Sequence, residues 1–113
     1  MKIVNRNEFL KLPPGTIAMK YQPCVFGEIF IKEETIGESG DFFLQYPLTC
    51  TQSETTVEEV GLLFDAQENK TSLKMDFDCS QRDGCFDEKQ LFAVYEKTDL
   101  EGLIKRLNDC LVC

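Results

Sequence analysis

The chain has no histidine and no tryptophan, only four prolines and seven glycines in 113 residues, and no apolar run near the roughly 18 residues of a membrane span. Each absence excludes something. Without His, a Cys or Ser nucleophile lacks its usual proton acceptor, and a zinc site lacks a common nitrogen ligand. Basic side chains are scarce as well: 12 Lys and Arg face 20 Asp and Glu, a net charge of −8. That balance disfavours direct contact with nucleic acid or an anionic membrane, both of which are held mainly by Lys and Arg. No phosphate-cradling glycine loop and no nucleotide fingerprint occurs, and no carboxylate pair stands out from the scattered acids. A protein without catalytic residues, cofactor or metal is therefore expected. Met1-Lys2-Ile3-Val4-Asn5-Arg6 turns polar at once rather than leading into a signal-peptide core, so a cytoplasmic location is expected.

What is present is enough for a core. Leu, Ile, Val and Phe supply 33 of 113 residues, too many for a disordered chain, and the length predicts one compact domain over residues 1–113. Asn5 followed by Glu8 reads as a capping box opening a short helix over residues 6–11, with Phe9 and Leu12 as its apolar stripe. Pro13 stops it and Pro14-Gly15 turns the chain. Strands are predicted over residues 16–21, 25–32 and 41–46, with a polar loop at 33–40. Residues 53–65 carry two signals, because Val57, Val60 and Phe64 fit helical spacing while Thr55, Thr56, Val57 and Val60 favour a strand. The reading adopted is a strand over residues 58–65, paired as a hairpin with the alternating residues 73–78, and a loop at 80–84. Residues 90–97 are apolar on both faces, as a central strand requires. Thr98 with Glu101 forms a second capping box, and Leu100, Leu103, Ile104, Leu107 and Leu111 mark one face of a terminal helix. The fold class expected is α+β: an antiparallel β-sheet of about five to six strands, a C-terminal helix packed on one face and a short N-terminal helix.

Six cysteines, Cys24, Cys50, Cys79, Cys85, Cys110 and Cys113, are expected as reduced, mostly buried thiols. A zinc site from Cys79, Cys85, Cys110 and Cys113 has the wrong spacing in its first pair. The Cys110-Leu111-Val112-Cys113 motif sits at the wrong end of its helix for a redox dithiol. Asp76, Asp78 and Ser80 begin like a calcium loop, yet Gln81 stands where the sharp turn needs Gly.

Charge distribution says more than charge total. Between Lys32 and Lys70 no basic residue occurs, while Glu33, Glu34, Glu38, Asp41, Glu54, Glu58, Glu59, Asp65 and Glu68 place nine acids there. A like-charged block on an ordered domain is either a solvated surface or a field for a basic partner. The second reading takes Glu33, Glu34, Glu38, Asp41, Glu54, Glu58 and Glu59 as partner-binding residues.

Leu12-Pro13-Pro14-Gly15-Thr16, Tyr21-Gln22-Pro23-Cys24-Val25-Phe26-Gly27-Glu28, Arg82-Asp83-Gly84-Cys85-Phe86-Asp87 and Leu91-Phe92-Ala93-Val94-Tyr95-Glu96 resemble small phage- or prophage-encoded acidic α+β proteins of unassigned function. The resemblance covers both ends of the chain, skips the acidic middle and brings no site residue. It implies a setting, since small acidic phage proteins often inhibit host machinery, including anti-defence proteins that mimic DNA. The function expected is thus a non-catalytic inhibitor that binds a basic surface of a host defence or nucleic-acid-binding protein, acting in the host cytoplasm, with self-association left open. The alternative is a small-molecule or nucleotide-signal sponge whose pocket is lined by Phe26, Phe30, Phe42, Phe43 and Tyr46.

Overall fold

A computed structural model describes residues 1–37, 40–53 and 55–112. The chain forms six strands, all but the polar edge strand β5 carrying apolar residues: β1 (Lys2–Val4), β2 (Thr16–Gln22), β3 (Val25–Ile36), β4 (Asp41–Gln45), β5 (Ser80–Arg82) and β6 (Leu91–Val94). They form one open antiparallel sheet in the order β1-β6-β2-β3-β4-β5. Three helices accompany it, α1 (Arg6–Leu10), α2 (Thr56–Asn69) and α3 (Lys97–Leu111). The fold class is α+β, as expected, and β6 is flanked on both sides, as its two apolar faces require.

The core lies between α1 and one sheet face. Phe9 stacks on Phe92 with centroids 3.9 Å apart and meets Phe42 edge-on at 5.1 Å and Phe30 at 5.9 Å. Ala18, Phe30, Phe42, Leu44 and Phe92 are buried with it. Successive strand side chains point to opposite faces, so the residues between these, Ile17, Met19, Ile29, Ile31, Phe43 and Ala93, point to the other face of the sheet, where Met19 and Ala93 are themselves buried and Phe43 is exposed. Register confirms this: Ile3, Ala93, Met19 and Ile29 form one cross-strand row, and Ile17, Ile31 and Gln45 another. Gly27 sits where β2 and β3 slip by one residue, and a Cβ there would lie 2.9 Å from the Lys20 carbonyl oxygen.

Several elements differ from expectation. Residues 58–65 belong to α2 rather than to a strand. The Thr55 hydroxyl accepts from Glu58 N at 3.1 Å, and Glu58 and Glu59 complement the positive end of the helix. Local capping therefore decides the element, because α2 buries no residue and the β-branched side chains gain nothing from a sheet face. The hairpin with residues 73–78 is absent, replaced by one bridge between Thr51 and Met75. Residues 80–82 form edge strand β5 instead of a loop, and β1 is an additional strand. The capping box of α3 lies two residues earlier than Thr98 and Glu101, with Glu96 N donating to Asp99 Oδ2 at 2.8 Å. Along α3, Leu100 and Leu103 are half-buried, while Ile104 and Leu107 remain 57% exposed and Leu111 83%. The stripe is thus covered only at its first turns.

These exposures predict unequal mutational costs. Phe9→Ala should lose about 3–5 kcal/mol in urea denaturation, whereas Leu107→Ala should change stability by under about 0.5 kcal/mol. Equal losses would place α3 over the core as well as α1.

Candidate functional site

The acidic residues fall into three environments. Lys32 pairs with Leu44 and Thr35 with Phe42, so β3 carries one residue more than β4 between these pairs, a bulge. Glu33 and Glu34 are the residues inside it. Glu33 Oε2 accepts from the Ser80 hydroxyl at 2.7 Å across the outer face, and Glu34 is exposed. With Pro14, Gly15, Ile31 and Phe43 these two acids line an open hollow of about 430 Å³. Phe43 is 38% exposed there, on the face opposite the core.

Asp41 has a different role from the one expected, since its side chain is fully buried and cannot meet a partner. Burial by itself would raise its pKa. Hydrogen bonds from Gly84 N at 3.0 Å and Phe42 N at 2.9 Å, and from Arg82 Nε at 2.9 Å, outweigh that and hold the carboxyl below its ordinary value near 3.8. Beside it Asp83 receives Lys20 Nζ at 2.7 Å, with Arg6 Nη2 4.0 Å away. These pairs fasten the loop after β5 to the sheet.

Glu58 and Glu59 lie on the first turn of α2, away from the β3 bulge in the chain and on another element. Glu58 is exposed. Glu59 is half-buried and its Oε1 accepts from the Thr51 hydroxyl at 3.4 Å, beside a hollow of about 310 Å³ that Tyr46, Cys50 and Cys79 also line. Glu38 and Glu54 lie outside the described residues.

The five aromatics of the alternative pocket do not line one cavity: Phe30 contacts Phe42 and Tyr46 in and beside the core, and Phe26 and Phe43 stand apart. Phe30 and Phe42 are inside the core, Phe43 points the other way, Phe26 is exposed beside Tyr21, and Tyr46 is half-buried at the α2 hollow. Nor are the cysteines buried hydrophobes: Cys24, Cys85 and Cys110 are exposed, and Cys50 and Cys79 are half-buried side by side. Cys113 lies outside the described residues. Among the described residues no group of three or more Cys, Asp and Glu side chains could hold a metal ion. The bulge leaves no mark in composition, whereas the outward aim of Phe43 follows from its alternation with Phe42 and Leu44.

Comparison with protein-family models, with curated proteins and with solved structures finds no match for this chain. None of the helices among the described residues is long and apolar enough to cross a membrane.

The Asp41 site predicts an acid-limb effect. A carboxyl with a depressed folded pKa contributes stability that is fully present above its unfolded value near 3.8 and is lost as pH falls through the lower folded value. Denaturation midpoints measured from pH 6 downward to about 2 should therefore fall more steeply for the natural protein than for Asp41→Asn, which starts lower at neutral pH.

Proposed function

We propose that this protein is a non-catalytic interaction module that receives, on its outer sheet face, a segment of another protein carrying Lys or Arg beside an apolar side chain. The observation that carries the reading is the hollow at the β3 bulge, where Ile31 and the exposed ring of Phe43 adjoin Glu33 and Glu34. An apolar anchor seated against Phe43 leaves water at a gain of roughly 25 cal/mol per Å². Cations on its flanks meet two carboxylates at the rim, which fixes orientation and speeds encounter. A small molecule needs a cleft that encloses most of its surface, and an open hollow suits a polypeptide side chain better.

The resemblance to phage-encoded proteins favours, as the partner, a host protein with a basic surface, of the defence or nucleic-acid-binding kind, which this module would block. Binding to such a surface is a protein–protein contact and requires neither nucleic acid nor membrane.

Selection from a random peptide display library tests the reading without knowing the partner. Enriched peptides should combine an aromatic or aliphatic anchor with Lys or Arg. Their affinity should fall with added salt, because exposed charges are screened beyond about 8 Å at physiological ionic strength. Glu33→Gln with Glu34→Gln should weaken binding about tenfold, and Phe43→Ala should weaken it at every salt concentration. Peptides without basic residues, or affinities that ignore both salt and these variants, would refute the proposal.

A further inference from the structure

Between β4 and β5 the chain makes an excursion that contains α2, a helix that buries no side chain. Its hold on the fold is therefore concentrated at its base. There Thr51 bridges Met75, Gln52 N donates to Lys74 O at 2.9 Å, and Asp76 N donates to Cys50 O at 2.8 Å. At the edge of this short ladder Cys50 and Cys79 line the same hollow, close enough for each side chain to act on the other's ionisation. Both are half-buried, open to a small reagent but shielded from another protein. The other described cysteines, Cys24, Cys85 and Cys110, stand exposed on three separate segments.

We infer that Cys50 and Cys79 form a disulfide-forming site, oxidised by a low-molecular-weight disulfide of the glutathione class, and that the bond staples the base of the α2 excursion. The exchange balances in two steps. A thiolate of the pair attacks one sulfur of the small disulfide, forming a mixed disulfide and releasing one small thiolate, which takes up a proton. The second protein thiol then gives up its proton and attacks the mixed disulfide at the protein sulfur. The Cys50–Cys79 bond forms as the second small thiol leaves. Two protein thiols are oxidised and one small disulfide is reduced to two thiols.

Contact with Cys79, and then burial, push the Cys50 thiol up to about 11, with the Asp76 and Glu59 carboxylates adding to the shift. Capping Cys79 removes the first of these causes, which favours closure by Cys50. Closing a loop across residues 50–79 restricts the unfolded chain and ties down a helix that packing does not anchor.

The full chain, incubated with oxidised glutathione and mapped by non-reducing peptide mass spectrometry, tests this. The peptides carrying Cys50 and Cys79 should appear joined and lighter by two hydrogens, while glutathione remains on exposed cysteines. Cys50→Ser should leave a glutathione adduct on Cys79 that does not resolve. Proteolysis within residues 56–69 should slow about tenfold on oxidation. A bridge from Cys50 or Cys79 to any other cysteine, or glutathione held on both together, would overturn the site. An unchanged proteolysis rate would overturn the staple. The mapping needs no variant, so a misfolded Cys50→Ser leaves the test intact.

Discussion

A helix of five residues cannot hold itself together in water, since nucleation costs more than its few hydrogen bonds return, so α1 exists here because Phe9 is buried against Phe30, Phe42 and Phe92. Its ends are fastened by polar groups. Asn5 Oδ1 accepts from Glu8 N at 2.9 Å, and Arg6 Nη2 reaches the Gly40 carbonyl at 2.6 Å. At the other end Thr35 donates to Leu10 O at 2.6 Å and Lys32 Nζ to Leu12 O at 2.9 Å. Lys32 is 1% exposed, and burial lowers its pKa, yet its three donors all find oxygens in Leu12, Glu33 and Thr35. A cation at a helix C-terminus also meets the negative end of the helix dipole. One aromatic side chain and one buried lysine thus bind helix to sheet.

The same constraint creates the outer surface. Phe30 and Lys32 must face α1, so Ile29 and Ile31 face away, and the bulge that follows Lys32 places Glu33 beside Ser80 on the outer side. On β4 the burial of Phe42 and Leu44 turns Phe43 outward by the same alternation. An apolar ring beside two carboxylates is therefore a by-product of how α1 is held. Removing the hollow by substitution at Ile31 or Phe43 leaves the core side of the sheet intact.

How much of this the sequence discloses depends on whether burial or local chemistry decides each element. β2, β3, β4 and β6 were legible because their alternation is the physical cause of their burial pattern. The start of α1 was legible because Asn5 and Glu8 are its cap. Residues 58–65 were misread because β-branched Val57 and Val60 signal a strand only when a sheet face rewards them, and α2 has none. In the sequence Lys32 only marks one end of the acidic block, since a single sequence does not reveal that Leu12, Glu33 and Thr35 will gather oxygens around its ammonium. The pairing of Cys50 with Cys79 was equally hidden, because the ladder that joins them forms only after α2 has turned the chain back.

The fate of the seven described acids between Lys32 and Lys70 follows from the same division. Asp41 is inside, compensated by Arg82 and two backbone donors. Glu59 leans on Thr51, and Asp65 accepts from Asn69 at 2.8 Å within α2. The charge that looks continuous along the chain is thereby dispersed over a core, a helix and a bulge. A mimic of duplex DNA would need acids at regular spacing over one surface, to stand in for phosphates that recur along both strands. Glu33 and Glu34 are two charges at one place, and two charges alone select weakly among basic surfaces. In the binding proposed for this site, discrimination would come from the apolar contact with Phe43 and Ile31, with the carboxylates setting the orientation in which that contact is made.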